Sequence, residues 1–268
     1  MMSISRRTLL KLAGLTVLGV TAEKYASAHA GSTTAKVLAK AVSAGKRLTN
    51  NIVQQKVRLA MVVDLRKCVS DQGCTKCIDA CNKAHNIPDF GDSKDAIKWI
   101  WKEPYEDAFI DQENFYMRDE FRNKMVPVFC NNCDEPPCVE VCPTQATFKR
   151  DDGIVMMDWH RCIGCRYCMA ACPYGSRSFN WRDPRPFIKN INPDYPTRMK
   201  GVVEKCTWCD ERVDQGLLPL CVEACPEKAM AFGNLNDPDS DVRQLLKDNF
   251  SVRRKPGLGT SPEIYYLV

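Results

Sequence analysis

Sixteen cysteines, falling into four groups of four with none left over, constrain this chain more than any other feature. The groups are Cys68, Cys74, Cys77, Cys81; Cys130, Cys133, Cys138, Cys142; Cys162, Cys165, Cys168, Cys172; and Cys206, Cys209, Cys221, Cys225. Each closes with C-x3-C, and in the last three a proline follows directly, at Pro143, Pro173 and Pro226. A core built by Leu, Ile and Val alone does not call for this pattern. Inorganic centres that organise the fold do.

The third group, with Pro173, is the bacterial ferredoxin run C-x2-C-x2-C-x3-C-P. Three thiolates on a tight loop reach three corners of one cube, and Gly164 lets the backbone curl. The fourth cysteine opens the next helix, faces away and ligates a different cluster. Groups therefore work in pairs, and four groups satisfy that logic with four [4Fe–4S] clusters. Two other uses of cysteine compete. A disulfide scaffold would need eight bridges from closely spaced cysteines that pair poorly. Zinc ribbons use C-x2-C but do not call for the third and fourth cysteine at fixed offsets. C-x-x-C-H, the attachment site of c-type haem, does not occur.

The N-terminus speaks to compartment. Ser5-Arg6-Arg7-Thr8-Leu9-Leu10-Lys11 is a twin-arginine pattern, with an apolar stretch from Leu12 to Val20 and small-residue cleavage patterns at Ala26-Ser27-Ala28 and Ala28-His29-Ala30. This is the layout of a removable export signal over residues 1–30, whose apolar stretch is too short to span a bilayer, which takes about 20 residues. It points to a periplasmic protein. Twin-arginine export moves folded proteins, so clusters can be inserted before sixteen thiols meet an oxidising space. The chain carries a net charge of +5. Removing Arg6, Arg7, Lys11, Lys24 and Glu23 leaves about +2, and four clusters at about −2 each bring the loaded protein to about −6. A basic face for nucleic acid does not survive that arithmetic.

Residues 31–58 read as a surface helix or an arm that packs on a partner, with Leu38, Val42, Leu48 and Ile52 at loosely helical spacing. Short apolar runs at Leu59–Val63 and Val126–Phe129 each lead into a cysteine group. Thr147–Lys149 and Ile154–Met157 flank a Gly153-containing turn and predict a hairpin. Gly201–Glu204 leads into the last group and Ala229–Phe232 follows it. Asp239–Asp248 reads as a helix and Ile264–Val268 as a closing strand. The fold class is α+β: ferredoxin-like modules over residues 59–268, with no second apolar stretch long enough to cross a membrane.

The sequence resembles the four-cluster iron–sulfur subunits of the dimethyl-sulfoxide-reductase type. Cys130-Asn131-Asn132-Cys133-Asp134-Glu135-Pro136-Pro137-Cys138 is similar to that family's C-x2-C-x2-P-P-C signature. Cys206 to Pro226 has its C-x2-C-x11-C-x3-C-P spacing, and Gly259-Thr260-Ser261-Pro262 to Tyr265-Tyr266-Leu267 its ending. The resemblance implies two intertwined modules of two clusters each, the first group paired with the fourth and the second with the third. One cluster then takes Cys68, Cys74, Cys77 and Cys225; a second Cys206, Cys209, Cys221 and Cys81; a third Cys130, Cys133, Cys138 and Cys172; a fourth Cys162, Cys165, Cys168 and Cys142. The sequence departs from the family in its first group, where C-x5-C replaces C-x2-C and lengthens the loop after Cys68.

A narrower resemblance is to the DsrO type, the exported iron–sulfur subunits of sulfite-reductase-linked Dsr membrane complexes. It rests on Met61 to Cys68, the lengthened loop to Gly73-Cys74, Ile97 to Glu103, and Arg182 to Phe187. It implies electron transfer in dissimilatory sulfur metabolism. The partners would be a polytopic quinone-interacting membrane subunit and a multihaem c-type cytochrome, or, in the sister reading, an exported molybdoenzyme.

Clusters held at all four corners by thiolate leave no open site for substrate, so the chain reads as an electron relay with catalysis on its partners. A metal-stapled docking protein without redox function is the reading from a different class. His160 and His85 read as partly exposed residues near cysteine groups rather than ligands. Trp99, Trp101, Trp159, Trp181 and Trp208 read as packing that keeps water off the clusters. Lys67, Lys76, Lys83, Arg161, Arg166, Lys205 and Arg212 lie near cysteines and can offset cluster charge. The cysteine-free insert at 85–129, with the 31–58 arm, is the expected docking surface.

Overall fold

A computed structural model describes residues 57–92, 94–112 and 116–268. The export signal and nearly all of the arm lie outside the described residues. Val57–Val268 forms one compact unit of mixed helix and strand.

Its spine is a four-stranded sheet in the order β8-β1-β10-β9. Strand β1, Leu59–Asp64, is buried along its whole length. It runs antiparallel to β8, Met230–Asn234, and parallel to β10, Ile264–Leu267, which pairs in turn with β9, Ser251–Val252. Burial on both faces explains why β1 reads as a continuous apolar run rather than an alternation. Met61 and Val63 enter the main core, while Ala60 and Val62 pack with Leu235, Val242 and Leu267. Val242 belongs to the amphipathic helix Asp241–Asp248, which Ser240 caps by accepting from the Arg243 N–H at 3.3 Å.

Three two-stranded pieces complete the strands. Ile100–Pro104 (β2) pairs with Met125–Phe129 (β3), and Ser178–Phe179 (β6) with Val203–Glu204 (β7). The hairpin read from the sequence forms as Thr147–Lys149 (β4) and Val155–Met157 (β5), with Gly153 at φ +95°. In chain order the helices are α1 (Lys76–Ala84), α2 (Tyr105–Ala108), α3 (Pro137–Glu140), α4 (Tyr167–Ala171), α5 (Asp210–Val213), α6 (Leu220–Glu223) and α7 (Asp241–Asp248). Most are single turns, bounded by the prolines and loops that carry the cysteines. Among the described residues, no helix is long and apolar enough to cross a membrane.

The 85–129 insert, read as a docking surface, is in part core, with Ile110 and Tyr116 exposed. Trp99, Tyr105, Phe109, Phe121, Val126, Val128 and Phe129 are buried in the main core. Without regular secondary periodicity, a run rich in aromatics reads from sequence as an insertion, yet here it supplies much of the apolar mass of the main core.

Candidate metal centres

The cysteines occupy loops and helix ends. Cys68 follows β1, Cys74 precedes α1, and Cys77 and Cys81 lie on α1. Cys130 follows β3, Cys138 lies on α3, Cys168 on α4 and Cys221 on α6. Cys206 leaves β7 and Cys209 opens α5. All sixteen thiols are free.

They gather in four sites. In the first, Cys77 feels the charge of Cys68, Cys225 and Cys74, and Cys68 that of Cys225 and Cys74. In the second, Cys81 is repelled by Cys206, Cys209 and Cys221. The third is a small cavity with Cys130, Cys133, Cys138 and Cys172 in its wall, and the fourth a small cavity with Cys142, Cys162, Cys165 and Cys168. Each site draws three cysteines from one run and the remaining one from another. The sites also adjoin in order: Cys221 is charge-coupled to Cys77, Cys206 to Cys130, and Cys168 to Cys138.

Local conformation explains the clustering. Gly164 takes φ +70° between Cys162 and Cys165, and a Cβ there would overlap the Gly201 carbonyl oxygen. In the fourth run Trp208 and Cys209 both sit in the left-handed region, at φ +58° and +54°. Such residues cost of order 1–3 kcal/mol each and persist only where the surroundings hold them. Backbone N–H groups aim at sulfur: Thr147 to Cys142 and Trp208 to Cys206 at 3.4 Å, Leu220 to Cys209 at 3.4 Å, Ala229 to Cys225 at 3.3 Å.

Burial pushes the Cys77 thiol up to about 11 and those of Cys133 and Cys206 to about 12, and drives Cys81, Cys209 and Cys221 up as well. At neutral pH these groups become thiolates only against a strong positive centre, which is what bound iron supplies. Cys142 goes the other way. Its modest burial is outweighed by N–H donors from Thr147, Thr144 and Ala146 and by the Thr144 hydroxyl. Cys165 is the exposed thiol of the sixteen, between exposed Ile163 and Tyr167.

The profile of the 4Fe-4S dicluster domain matches residues 121–185 and 192–235. The Hdr-like menaquinol oxidoreductase iron-sulfur subunit 1 of Archaeoglobus fulgidus is 41% identical over 236 residues, covering 80% of this chain and 84% of that protein. The chain belongs to the iron–sulfur subunits of reductase complexes. The iron-sulfur cluster-binding subunit of menaquinone reductase from Nitratidesulfovibrio vulgaris is 38% identical over 79% of this chain and 89% of its own. A tetrathionate reductase subunit from Salmonella typhimurium is 37% identical, with coverages of 78% and 72%. As an iron–sulfur subunit the chain transfers electrons through 4Fe-4S clusters and leaves catalysis to other subunits of its complex.

The residues fit such a group. The donors are thiols in fours, and the buried Arg177, in the wall of the third cavity, has a guanidinium nitrogen, Nη2, without a hydrogen-bond partner in the polypeptide. An anionic cluster answers that cation. When bound, the clusters supply reversible one-electron chemistry, and this subunit's own residues space them, shield them from water and set their electrostatic surroundings.

The histidines divide. His160 is exposed, in accord with its sequence reading. His85 is not partly exposed but 1% accessible, stacked on Trp99 at 4.7 Å, with Nδ1 3.0 Å from the Cys81 carbonyl and Nε2 3.2 Å from Glu211. With Cys209 and Glu211 it makes a trio of potential donors within 4.8 Å, but Cys209 already belongs to the second site and both ring nitrogens are engaged. Trp99 and Trp208 are buried, whereas Trp181 is exposed, with Arg166 4.7 Å above its ring. Sequence reasoning passed over Arg177 and did not anticipate that Lys205 would be buried, donating to the Cys206 carbonyl at 2.7 Å. A single basic residue outside any periodic pattern carries no local signal of burial.

Proposed function

We propose that the subunit is a four-cluster wire in which the four thiol sites each hold one [4Fe–4S] cluster. The ligand sets are Cys68, Cys74, Cys77 and Cys225; Cys81, Cys206, Cys209 and Cys221; Cys130, Cys133, Cys138 and Cys172; and Cys142, Cys162, Cys165 and Cys168. The first two sites form one ferredoxin-like half and the last two the other. The observation that carries this reading is the order in which the sites feel one another's charge, Cys221 that of Cys77, Cys206 that of Cys130, and Cys168 that of Cys138. A store or a staple has no need of a linear order, whereas stepwise electron transfer does.

In this reading the signal at residues 1–30 sends the folded, loaded protein to the periplasm. There a polytopic quinone-interacting membrane subunit feeds or drains one end, and a soluble redox partner serves the other. The fourth site, with exposed Cys165, Ile163 and Tyr167, is one port. The DsrO-type features make a multihaem c-type cytochrome in dissimilatory sulfur metabolism the leading partner. A second reading, with a molybdopterin oxidoreductase in that place, is favoured by the 37% identity to the tetrathionate reductase protein.

Anaerobic iron and sulfide counting, with redox-titrated electron paramagnetic resonance, tests the wire. About sixteen of each and four reducible centres are expected. A colourless protein, or one that dithionite does not bleach, would make it a metal-stapled docking protein instead. Mild detergent extraction and pull-down then separates the partner readings, a multihaem cytochrome against a large molybdopterin subunit. Replacing Arg6 and Arg7 by lysine should hold the loaded protein in the cytoplasm, and normal export of that variant would refute the twin-arginine route.

A further inference from the structure

Arg177 lies just beyond the third cysteine run and is 5% exposed. Its guanidinium forms part of the wall of the third cavity, where Nη2 lacks a hydrogen-bond partner. Nη1 has partners in the hairpin. It donates to the Thr147 hydroxyl at 3.1 Å and lies 3.8 Å from the Met157 sulfur. Thr147 and Met157 both line the fourth cavity, and the Thr147 N–H donates to Cys142 at 3.4 Å. One side chain thus lines the third cavity and contacts two residues that line the fourth.

We propose that Arg177 is a positioning residue shared by the clusters of the third and fourth sites, a buried cation that raises the reduction potential of both. The proposal rests on the four-cluster reading. A guanidinium taken out of water is costly unless negative charge answers it, and the charges that it meets here are those of Cys138, Cys168 and Cys130. Reduction adds one electron to a cluster that already carries about −2. A fixed positive charge beside it, screened by protein rather than water, stabilises the reduced form more than the oxidised one. Two neighbouring anionic clusters also repel each other, so that reducing one hinders the other. A cation between them weakens that penalty and lets electrons occupy adjacent stations. Arginine suits the position because its planar fork presents donors along two directions at once, which a lysine ammonium on a single stem does not.

The test uses the anaerobic loaded protein with Arg177→Gln, Arg177→Lys and, as a control, Arg161→Gln. Arg161 is also near the fourth site, but its charge is solvated and paired with Asp158 at 3.2 Å. Iron is counted first, and the four midpoint potentials are then read by dithionite titration under electron paramagnetic resonance. In Arg177→Gln two potentials should fall, each by tenfold or more in the reduction equilibrium, which is about 59 mV for one electron. The other two should stay, and Arg161→Gln should move none. Arg177→Gln with a full iron count and four unchanged potentials, or four equal shifts, overturns the role. So does a fall of equal size in Arg161→Gln. Should Arg177→Gln lose iron, Arg177→Lys decides. A lysine can serve only one side, so the two potentials should shift unequally, and no shift in either refutes the proposal. A wild-type protein with fewer than four centres would instead remove the four-cluster reading beneath it.

Discussion

Cys77 and Cys81 stand one turn apart on α1 and meet different thiols. Cys77 is surrounded by Cys68, Cys74 and Cys225, while Cys81 is turned toward Cys206, Cys209 and Cys221. Four residues of helix advance about 6 Å along the axis, enough to pass from one site to the next. The helix is thus a strut between neighbours, and the third run does the same through Cys168 and Cys172 on either side of the end of α4.

Crossed membership should be visible in single-cysteine variants. Cys225→Ser is expected to alter the spectrum of the centre at Cys68, Cys74 and Cys77, and Cys172→Ser that at Cys130, Cys133 and Cys138. Electron paramagnetic resonance and iron content report it. Loss confined to the centre built by the mutated residue's own run would contradict the four ligand sets.

The close approach of Gly164 to the Gly201 carbonyl oxygen makes that glycine the least replaceable in the third run. Gly164→Ala adds a methyl group where backbone stands and forces a left-handed residue to carry a Cβ, at about 1–2 kcal/mol for conformation alone. The expected outcome is selective loss of the centre at Cys162, Cys165 and Cys168, with iron falling by about a quarter. Full iron content at wild-type thermal stability would show that the loop yields more easily than its packing indicates.

Arg198 and Glu204 form an ion pair at 2.8 Å in which both side chains are almost wholly buried. Glu204 also accepts from Trp99 Nε1 at 3.2 Å and Asn180 Nδ2 at 2.5 Å, and Arg198 Nη2 donates to the Asn86 carbonyl at 3.0 Å. Glu204→Leu strands the guanidinium and should destabilise the protein by about 3–5 kcal/mol. Adding Arg198→Met should restore much of that loss. Unfolding followed by tryptophan fluorescence measures both, and additive losses would argue against a coupled pair.

Asp64 gives a pH dependence. Burial alone would raise its carboxyl, but hydrogen bonds from the Arg66 side chain and backbone, with the charges of Arg66 and Lys67, bring it below the usual carboxylate value. A depressed folded pKa contributes stability above the unfolded value of about 3.9, and that contribution is lost as pH falls through the folded value. Asp64→Asn should therefore cost about 1.5 kcal/mol at neutral pH. The gap to wild type should close in acid, below pH of about 3.9. Melting temperatures across pH check it, and a constant gap would assign the loss to packing.

Much of the fold was legible because its signals are local. The Gly153 turn between two short runs announced the β4–β5 hairpin, and Asp239–Asp248 read as the helix that forms as α7. The cysteine spacing named the chemistry. What could not be read is what depends on long-range placement. His85 follows the first run as any loop residue would, and only the return of Trp99, Tyr195 and Glu211 encloses it. Lys205 and Arg177 look like surface charge until β7 and the hairpin close over them. The 85–129 segment read as a docking surface because nothing in its spacing reveals that Trp99 and Phe129 are buried in the main core.

The parallel pairing of β1 with β10 sets Met61 against Ile264. A growing chain that emerges from a ribosome at roughly 5–20 residues per second would wait roughly 10–40 s between exposing the first of these strands and the second. In that interval β8 can already flank β1 on one side, while the other edge stays open. The site that joins Cys68 to Cys225 is complete in sequence before β10 arrives. Every one of the sixteen cysteines precedes Ile264 in the chain, so all the thiols are made before the strand that covers this edge of β1.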